Sequence, residues 1–479
     1  ATPTMQAARR GALAPGLLLG LCCIVILAHL TLIPDARWTS DEFKLLARVP
    51  DSTYLARILG WSPRPFSEAF LIVYQQAVWT LRRPLVTPVL AVLWLLLLSA
   101  PMSAGLLCKG RERRAFGAVF DACALLAVCL LAAKPGEMFY WPAGAAAYLP
   151  SLAAMLYVSV MAARVEGWSR VPASPLALRV GLLVWLLIGA ASSEVGAAFA
   201  LLLGALSCLT SGRRGWAAGW AWLPPMLLAV LALLIFDHYR GNGTDVMAPH
   251  SATLGHFATS FVASVPSYLA EFAHGEWVDG GAGVVLLCLG TRLLLLVGFR
   301  PVGNPAGRKS PAARAADLAP ILALLGAGFV SVLAAYLKFG LVCCERHQTM
   351  RQDIFVLALY NVAVLMPLAP AARRARRFGN VALAAALVVL MVMRYPEWLH
   401  DLGIVPEVTA AKTETWRSGL SAGREMTYYV GPQPQVAGGG WFPPAGRYVL
   451  TAQGTVRAAD GGEIAAVAKF FGKRALDVR

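Results

Sequence analysis

The chain has 479 residues, of which 58% are hydrophobic and 14% charged, and its mean hydropathy is +0.61. So little charged surface does not keep a chain of this size dispersed in water, which excludes a soluble globular protein and points to a polytopic membrane protein. The net charge of +16 does not point to nucleic acid either, because Lys and Arg stand in short clusters between apolar runs rather than on one domain.

In chain order, the first apolar run covers 12–33, long enough for the roughly 20 residues that a bilayer needs. It follows Arg9 and Arg10, so the positive-inside preference puts the N-terminus in the cytoplasm and the first outer loop at 34–83. The run is too long for a signal-peptide core, and Leu21 before Cys22 does not suit lipoprotein cleavage, so this span is expected to be retained. Within the loop, 66–83 mixes polar and aromatic residues and reads as a helix lying in the interface.

Spans are then expected at 84–108, 115–133 and 145–163, with the basic cluster 109–114 and Arg164 inside. The run 180–209 is too long for one upright span. Basic residues flank both of its ends, so it reads as a hairpin of two short spans with Glu194 at the outer turn. An outward span at 216–236 leads to a long outer loop, 237–280, in which 257–272 reads as a second surface helix. Further spans follow at 281–299, 318–337, 354–370 and 381–393. The expected fold class is therefore an all-α polytopic membrane protein with about 11 transmembrane helices, N-terminus inside and C-terminus outside, with interfacial helices in the outer loops.

Two regions result, a transmembrane domain at 1–394 and a small external C-terminal segment at 395–479. In the latter, 426–430 and 446–453 alternate like short strands between Gly- and Pro-rich turns. Usage rich in Ala, Leu and Arg suits a multi-pass protein of a bacterial inner (plasma) membrane. The nine cysteines and scattered histidines show no metal or disulfide spacing.

Under this topology the acids collect at the outer face, while the inner face holds little besides Lys and Arg. Asp41 and Glu42 stand just past the first span, Glu137 lies in an aromatic turn with Tyr140, Trp141 and Tyr148, and Glu194 sits in the hairpin. Arg346, His347 and Arg351 share the outer turn 338–353. A carboxylate can take a proton from a hydroxyl, Arg can hold a phosphate through paired hydrogen bonds, and rings can stack on a sugar. For a sugar carried on a polyprenyl phosphate the leaving group is already a stable anion, so one carboxylate base suffices and the displacement inverts the anomeric centre. Acids beside a phosphate also suit a divalent cation, so the cofactor stands open between none and such an ion.

Each feature has a plainer reading. Asp41 and Glu42 suit the first turn of an interfacial helix starting at Ser40. Glu137, Tyr140 and Trp141 suit an aromatic belt, Glu194 a solvated turn, and Arg346, His347 and Arg351 contacts with lipid headgroups.

The acidic pair Ser40-Asp41-Glu42-Phe43 directly after the first span, the turn Gly136-Glu137-Met138-Phe139-Tyr140-Trp141-Pro142-Ala143-Gly144 with Tyr148, and Ser192-Ser193-Glu194-Val195-Gly196 together resemble the GT-C membrane glycosyltransferases, in particular their small bacterial members of the serotype-converting type. The resemblance covers the chain to about residue 370. It implies a polyprenyl-phosphate-linked sugar donor, a glycan or lipid acceptor in the cell envelope, and chemistry at the non-cytoplasmic face among membrane lipids. Asp41 becomes the base and Glu42 a helper or donor contact. Two alternatives stay open: a transporter or flippase of a lipid-linked glycan, which would use ionisable residues along a two-sided path, and a non-enzymatic assembly factor working through its C-terminal segment.

Overall fold

A chain that meets no water must satisfy its own amides, and apolar runs do so as helices. A computed structural model describes residues 3–36, 43, 46, 53–60, 64–107, 112–132, 134–165, 167–217, 219–240, 253–274, 310–340, 342, 345–365, 373–438, 445–450 and 461–479. The described helices are α1 (Pro3–Thr31), α2 (Tyr54–Gly60), α3 (Pro65–Leu81), α4 (Val86–Leu107) and α5 (Glu112–Ala132). A π-helical turn (Gly136–Tyr140) leads into α6 (Pro142–Arg164), followed by α7 (Leu176–Ala190), α8 (Glu194–Ala217), α9 (Leu223–Arg240) and α10 (Leu254–His274). Next come α11 (Pro311–Asp317), α12 (Ala319–Phe339), α13 (Glu345–Leu365) and α14 (Arg373–Leu420).

Four stretches among the described residues are long and apolar enough to cross a membrane: Gly16–Asp35, Val86–Leu107, Pro142–Arg164 and Pro311–Leu337. Shorter apolar helices cover Val119–Leu131, Leu176–Ala190, Glu194–Thr210 and Leu223–Ile235. Four such stretches stand where about eleven spans are expected, and the expected span 281–299 lies outside the described residues. The exterior agrees with a membrane protein. Leu95 and Leu227 are 65% and 71% exposed, while Ser151, Ser159 and Asp353 are fully enclosed. Broad apolar surface outside with polar groups inside is the pattern that lipid selects.

The centre is α6, whose apolar stretch is entirely buried. It packs chiefly against α4, α7 and α13, and its Ala, Gly and Ser residues permit close approach. The fit extends to neighbouring glycines: a Cβ at Gly196 of α8 would collide with the Gly189 carbonyl and with Ser151 Oγ of α6. Polar pairs tie the same helices together, with Ser151 Oγ 2.7 Å from Ser193 Oγ and Asn361 Nδ2 donating to Ser159 Oγ at 2.8 Å. Toward the other end of α6, Arg164 pairs with Asp121 of α5, to which Tyr360 of α13 also donates at 3.5 Å.

The stretch 257–272, expected on the membrane surface, forms most of α10 and packs on α12. Ser260 and Ser264 are buried, Tyr268 Oη donates to Leu325 O at 2.8 Å, and Leu254, Val262 and Leu269 face outward. The boundary drawn at 394 falls inside α14, which continues through Pro396 and Pro406. At 1.5 Å per residue its 48 residues reach about 72 Å, more than twice the roughly 30 Å hydrocarbon core of a bilayer.

Past α14 the chain builds β1 (Glu425–Tyr428), β2 (Gly446–Val449), α15 (Gly461–Phe471) and β3 (Ala475–Val478). The first two strands fall where alternation predicts them, whereas α15 and β3 were not expected. In the sheet β3 lies centrally, parallel to β1 and antiparallel to β2. This unit is fastened to the helices. Asp401 of α14 is fully buried and accepts the backbone N–H groups of Gln435, Val436 and Ala437 at 2.6, 2.8 and 2.9 Å. The same loop then presses on the π-helical turn, where a Cβ at Gly136 would strike the Gly438 carbonyl.

Candidate functional site

Local sequence positions one side of the site at the α7–α8 turn. Ser193 Oγ accepts the Gly196 N–H at 3.0 Å and so caps α8, leaving Glu194 in the first turn, where the helix dipole favours an acid. Arg64 stands just before Pro65, the first residue of α3, and Phe66 N donates to Ala191 O at 2.9 Å, bringing the two helix starts together. Arg64 then donates to Glu194 Oε2 from Nε at 3.0 Å and from Nη2 at 2.7 Å. Burial opposes the Arg64 charge, but Glu194, with Tyr148 and Glu68, outweighs it and holds the guanidinium above its ordinary value.

The guanidinium lies over the Tyr148 ring, 5.8 Å from its centre, and Tyr148 Oη is 2.5 Å from His347 Nε2. His347 occupies the first turn of α13. Burial and the guanidiniums of Arg346, Arg351 and Arg64 push it down to about 3, against a small upward pull from Glu194, so the imidazole is neutral at physiological pH. Its Nδ1 is buried without a hydrogen-bond partner. Beside it, Arg346 donates to Glu137 Oε2 at 3.1 Å and covers the Trp141 ring at 4.9 Å. Thr349 Oγ1 donates to Lys134 O at 2.6 Å, fixing α13 to the turn that carries Glu137. One turn on, Arg351 is gripped by both carboxylate oxygens of Glu271 on α10 and donates to Ser331 Oγ at 3.3 Å.

The structure thus joins Glu137, Trp141, Tyr148, Glu194, Arg346, His347 and Arg351 in one contiguous group. Tyr140 takes a different direction. Its hydroxyl lies 2.7 Å from His29 Nδ1 and donates to His29 O at 3.1 Å, tying the turn to α1, and burial raises its pKa well above the ordinary phenol value. Asp41 and Glu42 lie outside the described residues. Sequence reasoning missed Arg64 and Glu271, both ion-paired here, and only the paired prolines around Arg64 marked a helix start there.

Three guanidiniums face three carboxylates around a neutral imidazole, so the group carries no net charge of its own. Arg64, Glu194, Arg346 and Glu137 keep 24%, 16%, 25% and 19% of their side-chain surface, enough to be reached from outside. The two partly exposed guanidiniums, Arg64 and Arg346, each lie against a ring, Tyr148 and Trp141, and each is held by a carboxylate. No group of metal-binding side chains occurs among the described residues. Compared with protein-family models, curated proteins and solved structures, the chain matches none.

Proposed function

We propose that this protein is a multi-pass glycosyltransferase of a bacterial inner membrane, crossing it about eleven times. It would move a sugar from a polyprenyl-phosphate donor to a glycan or lipid acceptor on the non-cytoplasmic face. The observation that carries the reading is the placement of two partly exposed cations at the Tyr148–His347 pair, Arg64 over the Tyr148 ring and Arg346 over Trp141, with Arg351 buried behind them. Cations of this kind suit a phosphate at headgroup level, and rings suit the attached sugar. In the reaction the acceptor hydroxyl attacks the anomeric carbon and the bond from that carbon to the phosphate oxygen breaks. Polyprenyl phosphate leaves with the electron pair, a carboxylate receives the hydroxyl proton, and the anomeric centre inverts. By resemblance the base is Asp41, with Glu42 beside it, and a divalent cation stays an option at the phosphate.

A surface-glycan profile of a deletion strain, complemented with wild type, Asp41→Asn or Glu194→Gln at matched membrane levels, tests this. Wild type should restore a missing sugar and Asp41→Asn should not. Equal restoration by all three would remove these acids from the chemistry.

One observation favours the transporter alternative. Arg164 of α6, paired with Asp121 of α5, and the Asn361–Ser159 pair between α13 and α6 lie on or against helices that also carry Tyr148 and His347, with Arg164 about 24 Å along α6 from Tyr148. Polar groups at both ends of one helix pair suit a two-sided path. Under that reading Asp121→Asn abolishes movement of lipid-linked glycan across vesicle membranes, whereas a transferase would retain sugar transfer in the same protein.

A further inference from the structure

One carboxyl of the helix bundle takes no part in the outer group. Asp353 of α13 is fully buried, and neither of its oxygens has a hydrogen-bond partner among the described residues. It shares one face of α13 with Thr349, Leu357 and Tyr360. That face runs along α5 in three polar steps. Thr349 Oγ1 donates to Lys134 O at 2.6 Å just past the end of α5, and the Cys129 thiol of α5, a weak donor, faces Asp353. In the third step Tyr360 donates to Asp121 at 3.5 Å, where Arg164 of α6 also binds. Charged and titratable neighbours turn elsewhere. Arg351 is directed to Glu271 and Ser331, Arg346 to Glu137 of the π-helical turn, and His347 to Tyr148 of α6. Farther along α6, Tyr157 Oη donates to Leu178 O at 2.8 Å, and Tyr336 of α12 meets Ser267 at 2.6 Å.

A carboxylate enclosed without a cation or a strong donor is far costlier than the neutral acid. The ionised form of Asp353 and this packing therefore exclude one another. We infer that Asp353 is a proton-binding site, filled while α5 and α13 pack as here and emptied toward the Lys134 end of the pair when the helices part there. On release the O–H bond breaks, the proton passes to water and the carboxylate keeps the electron pair. The direction follows from distances along α13. The Thr349 step is one turn away, about 6 Å, and leads to the exposed Lys134. The Tyr360 step is two turns away, roughly 10 Å, with the fully buried Leu357 between. Tyr360, Asp121 and Arg164 hold that far end together and form the hinge. Because the Thr349 bond also fixes α13 to the turn that carries Glu137, the proton is linked to the outer group. The site goes beyond the sugar-transfer reading and does not depend on it.

The test uses the full-length protein in detergent, with the proton itself as ligand. Wild type should show the infrared carbonyl band of a protonated carboxyl at about pH 6, and the band should vanish reversibly toward about pH 9 while thermal unfolding shows the protein still folded. Asp353→Asn should lack this band, and Asp353→Glu, which keeps a carboxyl, should show a titrating band again. A wild-type spectrum without the band at any pH means that Asp353 never holds the proton. A band that persists until the protein unfolds makes the residue a packing group. Either result overturns the proposal. Parting of the helices is read at Cys129, which is fully buried, by alkylation with N-ethylmaleimide and mass spectrometry of its peptide. At about pH 9 labelling in wild type should exceed that in Asp353→Asn, which keeps the uncharged form, by about tenfold. Thiolate formation rises with pH in both proteins, so this ratio reports opening alone. Equal labelling would mean that release does not part α5 from α13, and the proposed site would fall.

Discussion

Arg64 Nη2 lies 2.7 Å from Glu194 Oε2, joining the start of α3 to the start of α8 across 130 positions of sequence. Both side chains are mostly buried, so each relies on the other for its charge. Arg64→Gln or Glu194→Gln should therefore lower stability by about 2 kcal/mol, as expected for a hydrogen-bonded charge losing its partner. The double variant should lose about 1 kcal/mol less than the two single losses combined. Denaturant or thermal unfolding in detergent over the complete mutant cycle measures both quantities.

His347 makes stability depend on acid in a defined direction. Its folded-state value near 3 lies below the ordinary 6.5, so between these values the unfolded chain binds a proton that the folded chain does not. The stabilising contribution is complete above about pH 6.5 and is lost as pH falls toward 3, by at most about 1.4 kcal/mol per unit. Unfolding midpoints from pH 7.5 down to 5 should fall in wild type and fall less in His347→Gln. Because the imidazole stays neutral over this range, His347 should contribute no step to the pH–activity profile.

Asp401 holds a loop by three backbone hydrogen bonds at once. Asp401→Asn retains one acceptor oxygen and loses the charge that strengthens those bonds, for a loss of about 2 kcal/mol. Hydrogen exchange should accelerate at Gln435, Val436 and Ala437 while amides in α6 keep their protection.

Leu95 is near the middle of α4 and 65% exposed, so in water its replacement would matter little. Against lipid, Leu95→Arg should cost about 2.5–3.5 kcal/mol and reduce the level of inserted protein, while Leu95→Ala should be tolerated. Membrane-fraction abundance of the two variants checks this, and equal levels would mean that this face does not meet lipid.

The parts of this architecture legible in the sequence were those decided by local composition. Apolar runs located the stretches at 16–35, 86–107, 142–164 and 311–337, and basic residues on both flanks revealed the hairpin whose turn presents Glu194. What stayed hidden was decided in three dimensions. Glu271 was one acid among several in a long loop, and only the packing of α10 brings it to Arg351. Tyr140 shares a turn with Glu137 and stands next to Trp141, yet its hydroxyl reaches His29 of α1, a direction that spacing does not reveal. The last span was expected to end at 393, where the apolar run stops, whereas the helix continues to Leu420 through Pro396 and Pro406.

The enclosure of α6 has a consequence for how the protein is made. Ribosomes deliver α6 to the membrane long before α13, which supplies Asn361 to Ser159 and His347 to Tyr148. About 180 residues separate the two helices, so at roughly 5–20 residues per second α6 waits on the order of 10–40 s with its hydroxyls facing lipid. Its early neighbour α4 shields one side in the meantime. During that interval the nascent chain is a natural client for membrane chaperones and quality-control proteases, and chains stalled before residue 345 should be the ones most readily degraded.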